Sequence, residues 1–189
     1  MKPVLMISTA LLTLAVTGCG NYPPIRTAEQ VDLPRFMGDW YVIANIPTFI
    51  ETGAHNAVES YSLNEDGTIA TTFSFRKDSF EGEKKVYHPT GYIFDRDANA
   101  VWGMQFIWPI KADYRIVYVD EDYTHTIIGR LKRDYVWIMA RTPQIGDATY
   151  KKLITILHQE GYDTGEIQRV PQSWPEPSSP DSGSFQSDE

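Results

Sequence analysis

Alternation of apolar and polar positions dominates the middle of the chain. Period-two runs fall near residues 39–47, 56–63, 68–77, 83–94, 100–107, 113–120, 124–131 and 134–141, the signature of pleated strands. The breaks between them carry turn chemistry, as in Asn64-Glu65-Asp66-Gly67, Asp95-Arg96-Asp97-Ala98-Asn99, Asp120-Glu121-Asp122 and Lys132-Arg133-Asp134. Connections this short cannot hold a crossover helix, so neighbouring strands are predicted to pair antiparallel as hairpins. One segment switches to a helical period. Between Asp147 and Glu160, the residues Tyr150, Leu153, Ile154 and Leu157 make a single apolar stripe. Asp147 is placed to cap its start and Gly161 to end it. A short strand-like stretch, Glu166–Val170, follows.

Eight strands and one helix predict an all-β fold, an eight-stranded antiparallel up-and-down β-barrel with the C-terminal α-helix packed outside. Closure removes the sheet edges and leaves room for one small ligand. A two-sheet sandwich is the alternative that periodicity leaves open. Some strands are apolar on both faces: Tyr135, Trp137 and Met139 alternate with Val136, Ile138 and Ala140. One face can line a cavity while the other lies under the helix or against a second copy in a homodimer.

The ends read differently from the middle. After Lys2, an apolar stretch from Val4 to Val16 leads to Val16-Thr17-Gly18-Cys19, which holds the only cysteine. The stretch is shorter than the roughly 20 residues of a spanning helix and reads as the core of an export signal. A small residue before the cysteine resembles a bacterial lipobox, which implies a signal peptide over 1–18 and acylation of Cys19. An ordinary signal peptide is the alternative. Gly20, where an aspartate is absent, resembles lipoproteins sorted to the outer membrane of the bacterial cell envelope. The predicted organisation is a lipid-anchored linker over 19–30, a barrel domain over 31–174 and an acidic Pro/Ser tail over 175–189. The Pro, Ser and acid bias begins at Pro171, and such composition reads as disordered.

A formal net charge of −8 argues against nucleic acid as a partner. With one cysteine there is no internal disulfide, so burial alone must hold the fold. Aromatic residues make up 13% of the chain against 22% charged, a balance that suits enclosing something apolar. His55, His88, His125 and His158 are scattered without ligand spacing. Asp95-x-Asp97-x-Asn99 imitates the opening of a calcium loop, but Ala100 replaces the required glycine and Phe106 the closing glutamate. No nucleophile elbow or phosphate loop occurs. The sequence therefore predicts no catalytic residues, no metal and no cofactor.

Three blocks in order carry a resemblance. Gly38-Asp39-Trp40-Tyr41 opens the first strand, Asp113-Tyr114 with Asp120 and Tyr123 falls at the sixth strand and its turn, and Arg141-Thr142-Pro143 closes the eighth. Together they resemble the lipocalin family, nearest the bacterial outer-membrane lipoproteins related to apolipoprotein D. The resemblance implies a structural motif of Gly38, Trp40 and Arg141, with the arginine lying over the tryptophan ring. It also implies which residues point inward: Ile43 and Asn45; Ala57, Glu59 and Tyr61; Phe73 and Phe75; Trp102, Met104 and Phe106; Tyr114, Ile116 and Tyr118; Ile127, Gly129 and Leu131; Tyr135, Trp137 and Met139. Such rings and methionines can wrap an acyl chain, so a lysophospholipid or a fatty acid is the implied ligand. Another apolar molecule (a pigment, porphyrin or signal compound) and a filled barrel acting as an envelope interaction protein are the competing readings. Glu59 and Asn45 are costly inside an apolar barrel unless paired or near water. Either they contact a headgroup or Glu59 forms a salt bridge with a neighbouring strand. A charged Glu59 would repel a fatty-acid anion, which favours the lysophospholipid.

Overall fold

The computed structural model describes residues 22–176; the leader, Cys19 and the residues after 176 lie outside the described residues. A short helix α1 (Leu33–Phe36) precedes the strands β1 (Gly38–Ile46), β2 (Ala54–Leu63), β3 (Ile69–Lys77), β4 (Lys84–Tyr87), β5 (Thr90–Ile93), β6 (Val101–Ile107), β7 (Ile110–Val119), β8 (His125–Gly129) and β9 (Val136–Ala140). Helix α2 (Asp147–Gln159) follows, then a 3-10 turn (Thr164–Glu166) and β10 (Gln168–Arg169).

Neighbouring strands pair antiparallel from β1 through β3, β5 and on to β9, with β4 also on β3 and β10 on β1, and β9 returns to β1 through Tyr41↔Ala140, Val42↔Met139 and Ala44↔Ile138. The sheet is a closed eight-stranded barrel rather than a sandwich, because β4 and β5 are two halves of one strand on β3. The continuous strand predicted over 83–94 is broken at His88-Pro89. Proline has no N–H for the ladder, and the Pro89 carbonyl instead accepts from Thr71 N at 3.1 Å.

Two apolar layers result. Trp40, Val42, Phe73, Trp102, Ile128 and Met139 belong to the layer inside the barrel. Ile43, Ala44, Val117, Ile127, Ile138, Leu153 and Leu157 form the layer between the barrel and α2. β-Bulges decide who goes where. Register shifts between Val42 and Ala44, and between Ile116 and Tyr118, put two successive residues on the outer face each time. Ile43 and Tyr118, expected inside, therefore pack outside. Asn45 returns to the interior, opposite Trp137. On β8 the inward expectation for Ile127, Gly129 and Leu131 is also reversed. Ile127 and Leu131 join the outer layer, and a Cβ on Gly129 would meet the Tyr162 hydroxyl at 2.5 Å.

The cap lies one residue earlier than expected: Gly146 is the N-cap and makes no side-chain bond, while Asp147 occupies the first turn, where the helix dipole favours a negative charge. Gly161, at φ +84°, ends it as predicted. Both flanking segments are bound to the barrel. Arg133 donates to Pro23 O at 2.6 Å and Pro24 O at 3.0 Å, Arg26 pairs with Glu160, and Ala28 N donates to Ile116 O at 2.9 Å. Pro171–Glu176, where the disorder-prone composition begins, is likewise held. Gln172 Nε2 donates to Val42 O and Ala57 O, carbonyls beside the bulges, and Arg76 and Lys84 pair with Glu176.

Candidate functional site

The barrel is sealed at the end where β1 begins. Trp40 is completely buried, and its Nε1 donates to Phe36 O at 2.8 Å. Phe36 of α1, which the strand pattern did not foresee, stands 5.1 Å from the Trp40 ring and 5.6 Å from Trp102. Trp102 in turn stacks on Tyr114 at 5.4 Å. Arg141 covers the outside of this plug, 3.8 Å over the Trp40 ring. The left-handed φ of +90° at Gly38 turns the chain beneath it.

Above the floor lies a cavity of about 420 Å3, within the usual range of about 300–1,000 Å3 for small-molecule pockets. Of the residues expected to contact ligand, Glu59, Phe73, Met104, Phe106, Tyr114 and Trp137 stand on its wall, Phe106 at the half-exposed rim. Tyr61, Phe75, Trp102, Ile116 and Met139 are inside the barrel but belong to its packed core rather than to that wall. Asn45 is buried away from the wall, and Ile43 lies outside beneath α2.

The polar part of the wall is organised around Glu59. Its Oε2 accepts from the Tyr61 hydroxyl, which is itself 2.6 Å from the Tyr114 hydroxyl. The salt bridge weighed for Glu59 is absent among the described residues. Burial, with a smaller contribution from nearby Glu51, pushes the Glu59 carboxyl up to about 8, so it is neutral at pH 7. Burial also raises Tyr114 well above the ordinary phenol value, with the Glu59 charge adding to it.

Glu51 and Arg130 are among the wall residues that the sequence pattern missed. Glu51, in the β1–β2 loop, accepts from Trp137 Nε1 at 2.7 Å and from Thr48 N and Oγ1 at 2.9 and 2.7 Å. It ties that loop over the cavity; an irregular loop carries no alternation that would reveal it. Arg130 follows β8, and the reversed parity of that strand hid it. Its Nη1 lies 3.3 Å from Asp134 and its guanidinium 5.2 Å over Tyr135, and among the described residues its buried Nε has no partner. Among the described residues no three His, Cys, Asp or Glu side chains gather as a metal site. Asp95 instead closes its turn by accepting from Asp97 N and Ala98 N.

A family model described as a lipocalin-like domain matches residues 31–172. The chain is 35% identical to temperature-induced lipocalin-1 of Arabidopsis thaliana, over 79% of this chain and 83% of that one. It is 26% identical to the outer membrane lipoprotein Blc of Escherichia coli (strain K12), over 91% of this chain and 98% of the relative. Among solved structures, the cockroach allergen Per a 4 superposes with a TM-score of 0.62 at 20% identity, covering 80% of this chain and 95% of the allergen.

Proposed function

The chain belongs to the lipocalin family, and from that premise we propose that it is a membrane-tethered carrier whose cavity holds the acyl chain of a lysophospholipid or fatty acid. Family members generally bind small hydrophobic ligands rather than catalyse reactions. The observation that carries the reading is the cavity itself. About 420 Å3 remain open above a sealed floor, and Phe73, Met104, Tyr135 and Trp137 supply ring and thioether walls. Burying methylenes there contributes about 0.8 kcal/mol each without directional contacts. A barrel filled by its own side chains would leave no such space.

The polar groups favour an amphiphile over a plain hydrocarbon. A neutral Glu59 removes the charge repulsion that weighed against a fatty acid. Arg130 places a guanidinium on the wall, suited to a phosphate or carboxylate. The tether rests on Val16-Thr17-Gly18-Cys19 and agrees with the name of the Escherichia coli relative, an outer membrane lipoprotein. On that basis the protein sits in a bacterial cell envelope, anchored to the outer membrane.

The test is a titration of the delipidated protein with lysophosphatidylcholine and with a fatty acid of matched chain length, followed by tryptophan emission because Trp137 is on the wall. Saturable binding of one lipid per chain supports the proposal and ranks the two headgroups. Absence of binding by both removes the acyl-chain reading.

A further inference from the structure

The open end of the barrel carries large apolar side chains that none of the described residues covers. Phe49 in the β1–β2 loop is 87% exposed; around the β6–β7 hairpin Ile107 is 72%, Trp108 82% and Ile110 68% exposed. Apolar residues scattered singly on a surface are ordinary, but a group at one end marks an interaction site. Phe49 and Ile107 also line the cavity, so the apolar rim and the ligand chamber are continuous.

The start of the described chain is fixed near that same end. Arg133, in the β8–β9 loop at the mouth, binds the carbonyls of Pro23 and Pro24. From there residues 25–31 run down the outside of the barrel to the floor, where Val31 N donates to Ala98 O at 2.8 Å. Cys19 precedes Pro23 by four residues, and four extended residues reach at most about 14 Å. A lipid on Cys19 therefore has to enter a membrane beside the mouth; the floor is out of its reach.

We propose that the open end of the barrel rests on the phospholipid bilayer, with Phe49, Ile107, Trp108 and Ile110 seated at the boundary between headgroups and acyl chains. This rests on the carrier reading above and adds a direction to it. Tryptophan and large aliphatic side chains favour that depth, and the contact is apolar, so it needs no anionic lipid and persists at high salt. A ligand then passes between membrane and cavity along the rim without crossing bulk water.

The test uses the full, acylated chain in phosphatidylcholine vesicles. Because Cys19 is the only native cysteine, Trp108→Cys and Ile110→Cys each give one free thiol for an environment-sensitive fluorophore. Glu65→Cys, in the β2–β3 turn at the floor, is the reference. The expected result is a blue shift and a several-fold loss of iodide quenching at 108 and 110 on reconstitution, with quenching by spin-labelled lipid, and neither at 65. Iodide access that stays the same at 108, 110 and 65 overturns the orientation. So does lipid quenching at 65. A blue shift at 108 without vesicles that grows with protein concentration also overturns it, since the rim then covers a second copy. Lysophosphatidylcholine titration of the same labelled proteins separates the two ideas: binding retained while the rim stays aqueous sinks the orientation and leaves the carrier.

Discussion

Arg141 places its guanidinium 3.8 Å over the ring of Trp40 and donates to the consecutive carbonyls of Arg35, Phe36 and Met37 at 2.8, 3.1 and 2.8 Å. One side chain thus holds the last turn of α1 against the first residues of β1 and shuts the barrel floor. Replacing Trp40 by Ala is expected to destabilise the protein by about 3–5 kcal/mol, as for other buried tryptophans. Arg141→Ala is expected to lose about 2–3 kcal/mol from the ring contact and the charged hydrogen bonds. Chemical denaturation of the two variants measures both; a loss below about 1 kcal/mol in either contradicts the plug.

Glu59 makes the barrel sensitive to pH. Its folded value near 8 lies above the ordinary 4.5, so between those values the folded chain keeps a proton that the unfolded chain releases. Stability from this group is complete below pH 4.5 and falls as pH rises through 8, by up to about 1.4 kcal/mol per pH unit. Glu59→Gln keeps the shape and removes the titration. Its stability should hold between pH 5 and 8.5 while the wild type declines. Fatty-acid binding of the wild type should also weaken above pH 8 and that of the variant should not. Parallel melting curves for the two proteins across this range would refute the assignment.

The floor and the strand count were legible in the sequence because they rest on local signals. Gly38, Trp40 and Arg141 sit in recognisable blocks, and turn residues punctuate every hairpin. Wall assignments were less legible because parity is lost at bulges. Nothing in Val42-Ile43-Ala44 or Ile116-Val117-Tyr118 marks which pair shares a face, since every member is apolar or aromatic. His125–Gly129 offers Thr126, Ile127 and Ile128 with no polar alternation to sign it. Pro89 was the visible exception, and its break in the 83–94 strand follows from the missing N–H. The binding of Pro171–Glu176 was hidden for another reason: Gln172 bonds carbonyls beside bulges that composition does not reveal.

Gly129 illustrates how tightly the outer layer is built. A Cβ there would lie 2.5 Å from the Tyr162 hydroxyl and 2.9 Å from Val117 Cγ2. That hydroxyl accepts from Arg130 N at 2.8 Å, tying the segment after α2 to β8. Gly129→Ala should cost about 1–3 kcal/mol by overpacking. Adding Tyr162→Phe should recover part of that loss, a non-additivity read from a double-mutant cycle. Strict additivity would mean that the clash is relieved elsewhere.

The anchor proposed on Cys19 has a direct consequence for fractionation. Three acyl chains, at about 0.8 kcal/mol per buried CH2, hold a protein on a membrane almost permanently. Cys19→Ala should therefore move the chain from the membrane pellet to the soluble fraction. A variant that still pellets after a high-salt wash would show that another feature holds it.

Arg130 offers the sharpest way to separate headgroup recognition from acyl-chain burial. Among the described residues its one ion pair, to Asp134, spans 3.3 Å and its buried Nε has no partner. Its guanidinium can donate charge-assisted hydrogen bonds to a ligand phosphate or carboxylate. Lysophosphatidylcholine carries a phosphate and a fatty acid a carboxylate, whereas a monoacylglycerol of the same chain length has neither. If Arg130 receives the headgroup, Arg130→Met should weaken the first two by about tenfold, a difference of about 1.4 kcal/mol. The monoacylglycerol, held by the apolar wall alone, should bind both proteins alike. An equal loss for all three lipids would assign Arg130 to the shape of the wall, through its contact with Tyr135, and leave the headgroup without a protein partner at this position.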